Sequence, residues 1–215
     1  MRSGDAPPPP PTILSHLADA ANLLTLAGLV ASILAITLAL RGEHAGAAIA
    51  LVGAFVFDVI DGPVAKRTPG RTSEQGVFGA NLDSLADMVS AGVALGVVIL
   101  SYGDFRIAYV PVVALLAAAA AMRLSYFNVH GLDAGSGRYT GLPTDLATIS
   151  FVALMLLDGP LGLAAFRVVL SAGGVVLAVL MVSPLRIPKL TGRWYVAQIA
   201  LALLLAAAHA ARLIA

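Results

Sequence analysis

The sequence predicts an all-α protein that crosses a membrane several times, and two properties of its composition point to that class. Of the 215 residues, 59% are hydrophobic and only 12% are charged, and the mean hydropathy is +0.92. That exceeds what a water-soluble domain of this length needs to fill its core. Several windows also reach the roughly 20 apolar residues that a helix needs to cross a hydrocarbon layer about 30 Å thick. We therefore expect a polytopic helical bundle of six core spans plus one extra C-terminal span.

Turn-rich pieces such as RGEHAG, SYGDFR and DGP divide the apolar sequence into seven predicted spans, of which the fifth is the shortest. A proline-rich stretch, residues 1–12, predicts a disordered cytosolic tail, and residues 13–21 predict a short amphipathic helix on the membrane surface. Residues 13–215 then form a single integral membrane domain. The predicted spans cover residues 22–41, 46–67, 82–101, 107–128, 144–158, 162–183 and 194–213.

The distribution of lysine and arginine predicts how the spans are oriented. With the N-terminus in the cytosol, nine of the 13 basic residues fall on the cytosolic side, and the loops after spans two, four and six face the cytosol. Some of those loops would change sides if the fifth span did not cross the membrane. The nine are Arg2, Lys66, Arg67, Arg71, Arg123, Arg138, Arg186, Lys189 and Arg193, against Arg41, Arg106, Arg167 and Arg212.

Two absences narrow the possible chemistry. The chain has no cysteine, which excludes disulfides, thiolate metal ligands and cysteine nucleophiles, so any metal must bind oxygen or histidine. The net charge of +1 offers no large basic footprint, so nucleic-acid binding is also excluded.

Four aspartates at the facing ends of predicted spans two and three carry the strongest signal. Asp58 and Asp61 are three residues apart and Asp83 and Asp87 four apart, so each pair projects to one face of its helix. Four ionised carboxylates near a membrane interface cost several kcal/mol, and protons or cations must neutralise them. Hard divalent cations take oxygen ligands, and two of them about 3.5–4 Å apart serve transfer at phosphorus. We expect two Mg²⁺ or Mn²⁺ ions here.

The residues between the aspartate pairs suit a ligand of nucleotide size. Gly62 and Ala65 leave a wall without bulky side chains, and Lys66, Arg67 and Arg71 offer positive charge. The alternative is an ion-coupled transporter, in which intramembrane carboxylates relay protons or ions. Transporters of that kind usually show broken helices in two paired halves, whereas these acids cluster in one hairpin.

These residues resemble the signature of the CDP-alcohol phosphotransferase family, which is D-x2-D-G-x2-A-R, a spacer, and then G-x3-D-x3-D. The chain reads Asp58-x2-Asp61-Gly62-x2-Ala65-Lys66 and then Gly79-x3-Asp83-x3-Asp87. It differs by a lysine where the family usually has arginine, and by a spacer of twelve residues, 67–78, where eight are usual. Lysine keeps the charge but lacks the bidentate fork of arginine.

The resemblance implies an enzyme that transfers a phosphatidyl group from CDP-diacylglycerol to an alcohol and releases CMP. It also implies a homodimer in a prokaryotic cell membrane, with the active site facing the cytosol. By the same resemblance, Asp87 is the general base. The metal ligands are Asp58, Asp61, Asp83 and Asp87, and the donor-binding residues are Asp58, Gly62, Ala65, Lys66, Arg67 and Gly79.

Other segments look like the bacterial and archaeal phosphatidylserine synthase branch of this family. They are ANLLTLAG, FGANLDSLADMVSAG, RLSYFNV, YTGLP and LMVSPLRIP. L-serine is therefore the expected acceptor, with glycerol 3-phosphate, inositol phosphate, choline or another small alcohol as alternatives. Two residues depart from the branch: Tyr126 stands where a second basic residue is typical, and Asp145 stands where proline is.

Three residues are candidates for binding the acceptor, and each has an ordinary structural alternative. Arg123 could bind a carboxylate or phosphate, or could extend to the lipid headgroups. Asn128 could hydrogen-bond the acceptor or cap its helix. Asp145 could meet a cationic group, or could simply be stabilised by the N-terminal dipole of its own helix.

Overall fold

The computed structural model describes residues 12–214, and within them the chain is almost entirely helical, which confirms the all-α class. A π-helix, Met88–Ala94, joins the helix Ser73–Asp87 to the helix Leu95–Tyr102 without a break, and 3₁₀ turns cover Ile13–Ala18, Ile107–Tyr109 and Leu156–Asp158. The prediction for the tail at residues 1–12 falls almost wholly outside the described residues. The helices are α1 Ala20–Leu40, α2 His44–Arg67, α3 Ser73–Asp87, α4 Leu95–Tyr102, α5 Val110–His130, α6 Thr144–Met155, α7 Leu163–Met181 and α8 Arg193–Ile214, and the strands are β1 Arg138–Thr140 and β2 Arg186–Pro188.

Six helical stretches in the described part of the chain are long and apolar enough to cross a membrane. The fifth predicted span is helical where expected, but α6 has only 12 residues, about 18 Å of helix. At one end the Thr144 hydroxyl donates to Asp87 at 2.6 Å, and just beyond the other end Asp158 accepts from the Tyr102 hydroxyl at 2.5 Å. The short helix therefore runs alongside the whole stretch from Asp87 to Tyr102 and in the same direction, as expected if these are the third and fifth spans of an alternating series.

Helix caps shift two boundaries away from the sequence prediction. The third long helix begins at Ser73 rather than at residue 82, because Thr72 and Gln75 form a reciprocal capping box with bonds of 3.2 and 2.9 Å. The amphipathic helix expected over residues 13–21 is instead a 3₁₀ turn followed by α1. Asp19 separates the two by accepting the Ala21 amide at 2.9 Å.

Small residues bring α1 and α2 close together, which places the first aspartate pair. The buried face of α1 carries Gly28, Ser32, Ala35 and Ala39. A Cβ added at Gly28 would lie 3.4 Å from the Cβ of Phe57, so the two backbones pack about as tightly as side chains allow. The α1–α2 hairpin is therefore a close-packed support for the end of α2.

A polar cluster joins several helices at the end of the bundle away from the aspartates. Asp158 accepts from Tyr102 and also pairs with Arg212 of α8. Arg167 of α7 donates to the backbone carbonyl of Tyr102 at 2.5 Å. Because these groups satisfy one another, they tie α4, α7 and α8 together at that end.

The loops that follow α5 and α7 are joined by a short antiparallel pair of strands, which we call the strap, residues 138–140 and 186–188. Tyr139 pairs with Ile187 at its centre. An ion pair between Asp133 and Arg186 braces it from the side. The strap lies at the same end of the bundle as the aspartates and closes one side of the cavity described below.

Candidate active site

A cavity of about 250 Å³ opens where α2, α3, α5 and α6 meet, with the strap and α8 completing its wall. All four signature aspartates line it, together with residues far from them in sequence. The lining includes Lys66, Arg123, Tyr139, Thr144, Asp145 and Lys189.

Three of the four aspartates form a compact cluster that could hold a divalent cation. Asp58, Asp83 and Asp87 each offer one carboxylate oxygen, and those oxygens lie within 4.8 Å of one another. Within residues 12–214, no lysine or arginine nitrogen approaches these carboxylates to within 4.0 Å. Three close, half-buried carboxylates without a cationic partner match the oxygen donor set that Mg²⁺ and Mn²⁺ prefer.

Asp61 occupies a different position from the other three. Its side chain is buried, and the Thr25 hydroxyl of α1 donates to it at 2.6 Å. It also lines a second, smaller cavity of about 170 Å³. Asp61 therefore stands between the two cavities rather than within the three-carboxylate cluster, although the sequence predicts the same role for Asp58, Asp61 and Asp83.

The smaller cavity contains the small residues that the sequence assigns to the donor. Gly62, Ala65 and Gly79 line it, opposite Asn22 and Thr25 of α1. A Cβ at Gly79 would clash with the Arg71 guanidinium group and would lie 2.8 Å from the Asn22 amide oxygen, so only glycine leaves this space open. The same amide oxygen is buried without a hydrogen-bond partner in the described structure, which suits recognition of a donor group on a ligand.

The basic residues expected near the donor do not all face it. Lys66 lines the larger cavity, while Arg67 is exposed and lines neither cavity. Arg71 lines the smaller cavity, but its Nε donates to Asp19 at 2.6 Å. The charge expected from Arg71 is thus already balanced by an acid at the start of α1.

Two acceptor candidates lie in the larger cavity, on its α5–α6 side. Arg123 is 7% exposed, and its Nε has no partner among the described residues. Its guanidinium group lies 5.1 Å from the Phe127 ring centroid and 5.6 Å from that of Tyr139, so the side chain is enclosed rather than extended toward lipid headgroups. Asp145 lines the same cavity, and its Oδ1 accepts the Leu146 amide at 2.7 Å.

Asn128 and Tyr126 lie outside the larger cavity. The Asn128 amide oxygen accepts from the Ser84 hydroxyl at 3.0 Å, which joins α5 to α3. Tyr126 stacks on His130 and borders a separate apolar pocket. Of the three acceptor candidates, the structure therefore places Arg123 and Asp145 beside Asp87 and leaves Asn128 in a contact between helices.

Several cavity residues escaped the sequence analysis because they lie outside the signature. Thr144 donates to Asp87, and Tyr139 of the strap faces Arg123 and Asp145. Burial, reinforced by the nearby charge of Asp145, raises the pKa of Tyr139 to about 12, so its phenol keeps its proton at neutral pH. In the sequence, only the resemblance of the segments ANLLTLAG and YTGLP to the phosphatidylserine synthase branch points to Asn22, Thr25 and Tyr139.

Comparison with known proteins identifies the family of the chain. A sequence model described as CDP-alcohol phosphatidyltransferase matches residues 18–183. The archaetidylserine synthase of Methanothermobacter thermautotrophicus is 36% identical over 80% of this chain and 70% of that protein. A CDP-diacylglycerol–serine O-phosphatidyltransferase of Helicobacter pylori is 31% identical over 78% of this chain and 71% of its own length. One from Methanocaldococcus jannaschii is 28% identical over 70% and 68%.

The family match covers the helices that carry all four aspartates, and it rules against the ion-coupled transporter. It agrees with the resemblance seen in the signature, and the relatives named above agree with the resemblance to the phosphatidylserine synthase branch. The chain is a multi-pass membrane enzyme, and it belongs to the CDP-alcohol phosphatidyltransferase family.

Proposed function

We propose that this enzyme transfers a phosphatidyl group from CDP-diacylglycerol to the hydroxyl of L-serine, giving a phospholipid and CMP. One observation carries the choice of acceptor: Arg123 and Asp145 line the cavity of Asp87 and do not form an ion pair with each other. Serine has a carboxylate for the first and an ammonium group for the second. Glycerol 3-phosphate and inositol phosphate lack the ammonium group, and choline lacks the carboxylate. The names of the three relatives all include the word serine, which supports the same acceptor.

In the proposed reaction Asp87 accepts the proton of the serine hydroxyl. The serine oxygen forms a bond to the phosphorus that carries diacylglycerol, the bond from that phosphorus to the CMP oxygen breaks, and CMP leaves with the electron pair. Thr144 holds the Asp87 carboxylate by its hydroxyl at 2.6 Å. Two Mg²⁺ or Mn²⁺ ions, held by Asp58, Asp61, Asp83 and Asp87, would neutralise the diphosphate and the departing CMP.

The nucleotide of the donor fits the smaller cavity, and the diphosphate fits the passage toward the aspartate cluster. Gly62, Ala65 and Gly79 border the nucleotide, and Lys66 faces the phosphates, with Asp58 at the metal end. Arg67 lies farther out, where it would act only through its charge. The diacylglycerol chains can stay in the bilayer throughout, which explains why membrane helices carry a reaction between polar groups.

We further propose that residues 13–215 act as one domain, that the active site faces the cytosol of a prokaryotic cell, and that the enzyme is a homodimer as family resemblance implies. The excess of lysine and arginine at the aspartate end supports this orientation, by the positive-inside rule. Vesicles that hold the enzyme in a known orientation, given water-soluble serine on one side only, would test it.

The reaction is tested with purified enzyme in vesicles containing CDP-diacylglycerol and Mg²⁺ or Mn²⁺, supplied in turn with serine, glycerol 3-phosphate, inositol phosphate and choline. We expect CMP release that depends on serine, stops with EDTA, and falls at least about a thousandfold in Asp83→Asn and Asp87→Asn. Full activity in both variants, or equal rates with a different alcohol, would overturn the proposal.

The assignment of Asp145 to the binding of serine is tested by a separate variant. Asp145→Asn should raise the KM for serine by about 30-fold, because removing one partner of a buried charge pair costs roughly 2 kcal/mol or more. The KM for CDP-diacylglycerol should stay unchanged. Glu74→Gln, at an exposed acid in the first turn of α3 that lines neither cavity, is the control.

A further inference from the structure

Two lysines on separate elements line the outer part of the larger cavity, and no acid neutralises them in the part of the chain that the structure describes. Lys66 is near the end of α2 and Lys189 follows β2. Neither forms an ion pair within 4.0 Å among residues 12–214. Two like charges in one cavity repel each other, and an anion bound between them would turn that repulsion into attraction.

Lys189 is held in this position by its surroundings. The β1–β2 pairing fixes the strand that precedes it, and its Nζ lies 6.0 Å from the centroid of the Tyr139 ring. Partial burial and then the nearby charge of Lys66 lower the pKa of Lys189. The ammonium group therefore lies beside the Tyr139 ring in the wall of the cavity that Lys66 also lines, rather than fully extended into water as lysines usually are.

The wall of the cavity carries charges of both signs. The half-buried carboxylates of Asp58, Asp83 and Asp87 line it together with the two lysines, of which Lys66 is exposed. A ligand that matches this wall has oxygens for a metal held by the carboxylates and further phosphate oxygens for the lysines. A nucleoside diphosphate ester has both.

We propose that Lys189 is a second diphosphate-binding residue of the donor site and acts together with Lys66. This inference rests on the proposed donor, CDP-diacylglycerol. Lys189 lies beyond Asp87, where the signature ends, and beyond residues 18–183 that the family model matches. Because a lysine binds phosphate as a single point charge, two lysines on different elements replace the two-pronged contact that one arginine would make.

The inference is tested by calorimetric binding to the purified full chain in detergent with Mg²⁺, using CDP and cytidine as separate probes. Lys189→Gln should weaken CDP binding about tenfold, the scale of one lost charge-assisted hydrogen bond, and should leave cytidine binding unchanged. Lys189→Arg should bind CDP as the wild type does. Arg193→Gln removes a nearby exposed cation that lines neither cavity, and should change neither affinity.

Three results would overturn the inference. Lys189→Gln could bind CDP as tightly as the wild type, or could lose CDP and cytidine binding equally, which would indicate a structural role. It could also raise only the KM for serine, which would place Lys189 at the acceptor. Wild-type protein that bound CDP no better than cytidine would instead refute the proposed donor, so the two failures are distinguishable.

Discussion

Thr144 offers a direct test of how Asp87 is positioned. Its hydroxyl, on a residue that is 2% exposed, donates to Asp87 at 2.6 Å from the first turn of α6. A buried hydrogen bond to a charged group contributes about 1.5–3 kcal/mol, and each 1.36 kcal/mol is a factor of ten in rate. If the bond holds Asp87 for proton transfer, Thr144→Val should lower kcat by roughly 10- to 150-fold.

The same helix supplies a matched control. Thr148 lies one turn farther on, is also 2% exposed, and donates its hydroxyl at 3.0 Å to the backbone carbonyl of Thr144 rather than to an acid. Thr148→Val removes the same atoms from the same helix and should leave kcat nearly unchanged. Thr144→Ser keeps the hydroxyl and should restore most of the rate.

The assay is CMP release at saturating CDP-diacylglycerol and serine, with KM measured for each substrate. A role in positioning predicts a loss in kcat with little change in either KM. If Thr144→Val and Thr148→Val lose the same activity, the hydrogen bond to Asp87 has no special role. If Thr144→Ser is as impaired as Thr144→Val, the loss comes from packing.

Three further predictions follow from contacts elsewhere in the molecule. Gly79→Ala should raise the KM for CDP-diacylglycerol at least about tenfold without changing the KM for serine, because the new Cβ would lie 2.8 Å from the buried amide oxygen of Asn22. An unchanged KM for CDP-diacylglycerol would argue against the smaller cavity as the nucleotide site. Hydrogen bonds from Ser136, with help from the Arg186 charge, lower the pKa of Asp133 from 3.8 to about 2. The stabilisation by ionised Asp133 is therefore complete above about pH 4 and is lost as the pH falls through 2. Asp133→Asn removes it at pH 7, which should speed hydrogen exchange in residues 131–140, and unchanged exchange would contradict the bracing role. Asp158→Asn leaves Arg212 without its acid, which should cost about 2 kcal/mol and lower the melting temperature by roughly 4–8 °C. Activity at 25 °C should be retained. An unchanged melting temperature would show that the ion pair does not contribute to stability.

The sequence predicted the part of the site that lies on two neighbouring helices. Helical spacing alone puts Asp58 beside Asp61 and Asp83 beside Asp87, and a short connection brings the pairs together. Spacing could not show that Asp61 turns toward Thr25 while the others form a cluster within 4.8 Å. That difference comes from α1, which packs against one side of α2 only.

Contacts between distant segments were out of reach from sequence. Thr144 meets Asp87 across 57 residues, and Asp19 meets Arg71 across 52. Nothing in local composition marks such pairs, because only the packing of whole helices decides which polar groups meet. For the same reason the sequence does not show that Asp19 already balances the charge of Arg71.

The π-helix that follows Asp87 separates two tasks within one long helix. Its wider turn shifts the helical register between α3, which carries Asp83 and Asp87, and α4, which packs in the core. Converting Met88–Ala94 to α-helix at the same length would rotate the aspartates by about 100° relative to the packed half, because the π-turn accommodates one extra residue. The shift in register lets α4 keep its packing while the aspartates face the larger cavity, so this short segment sets the direction of the carboxylates relative to the core.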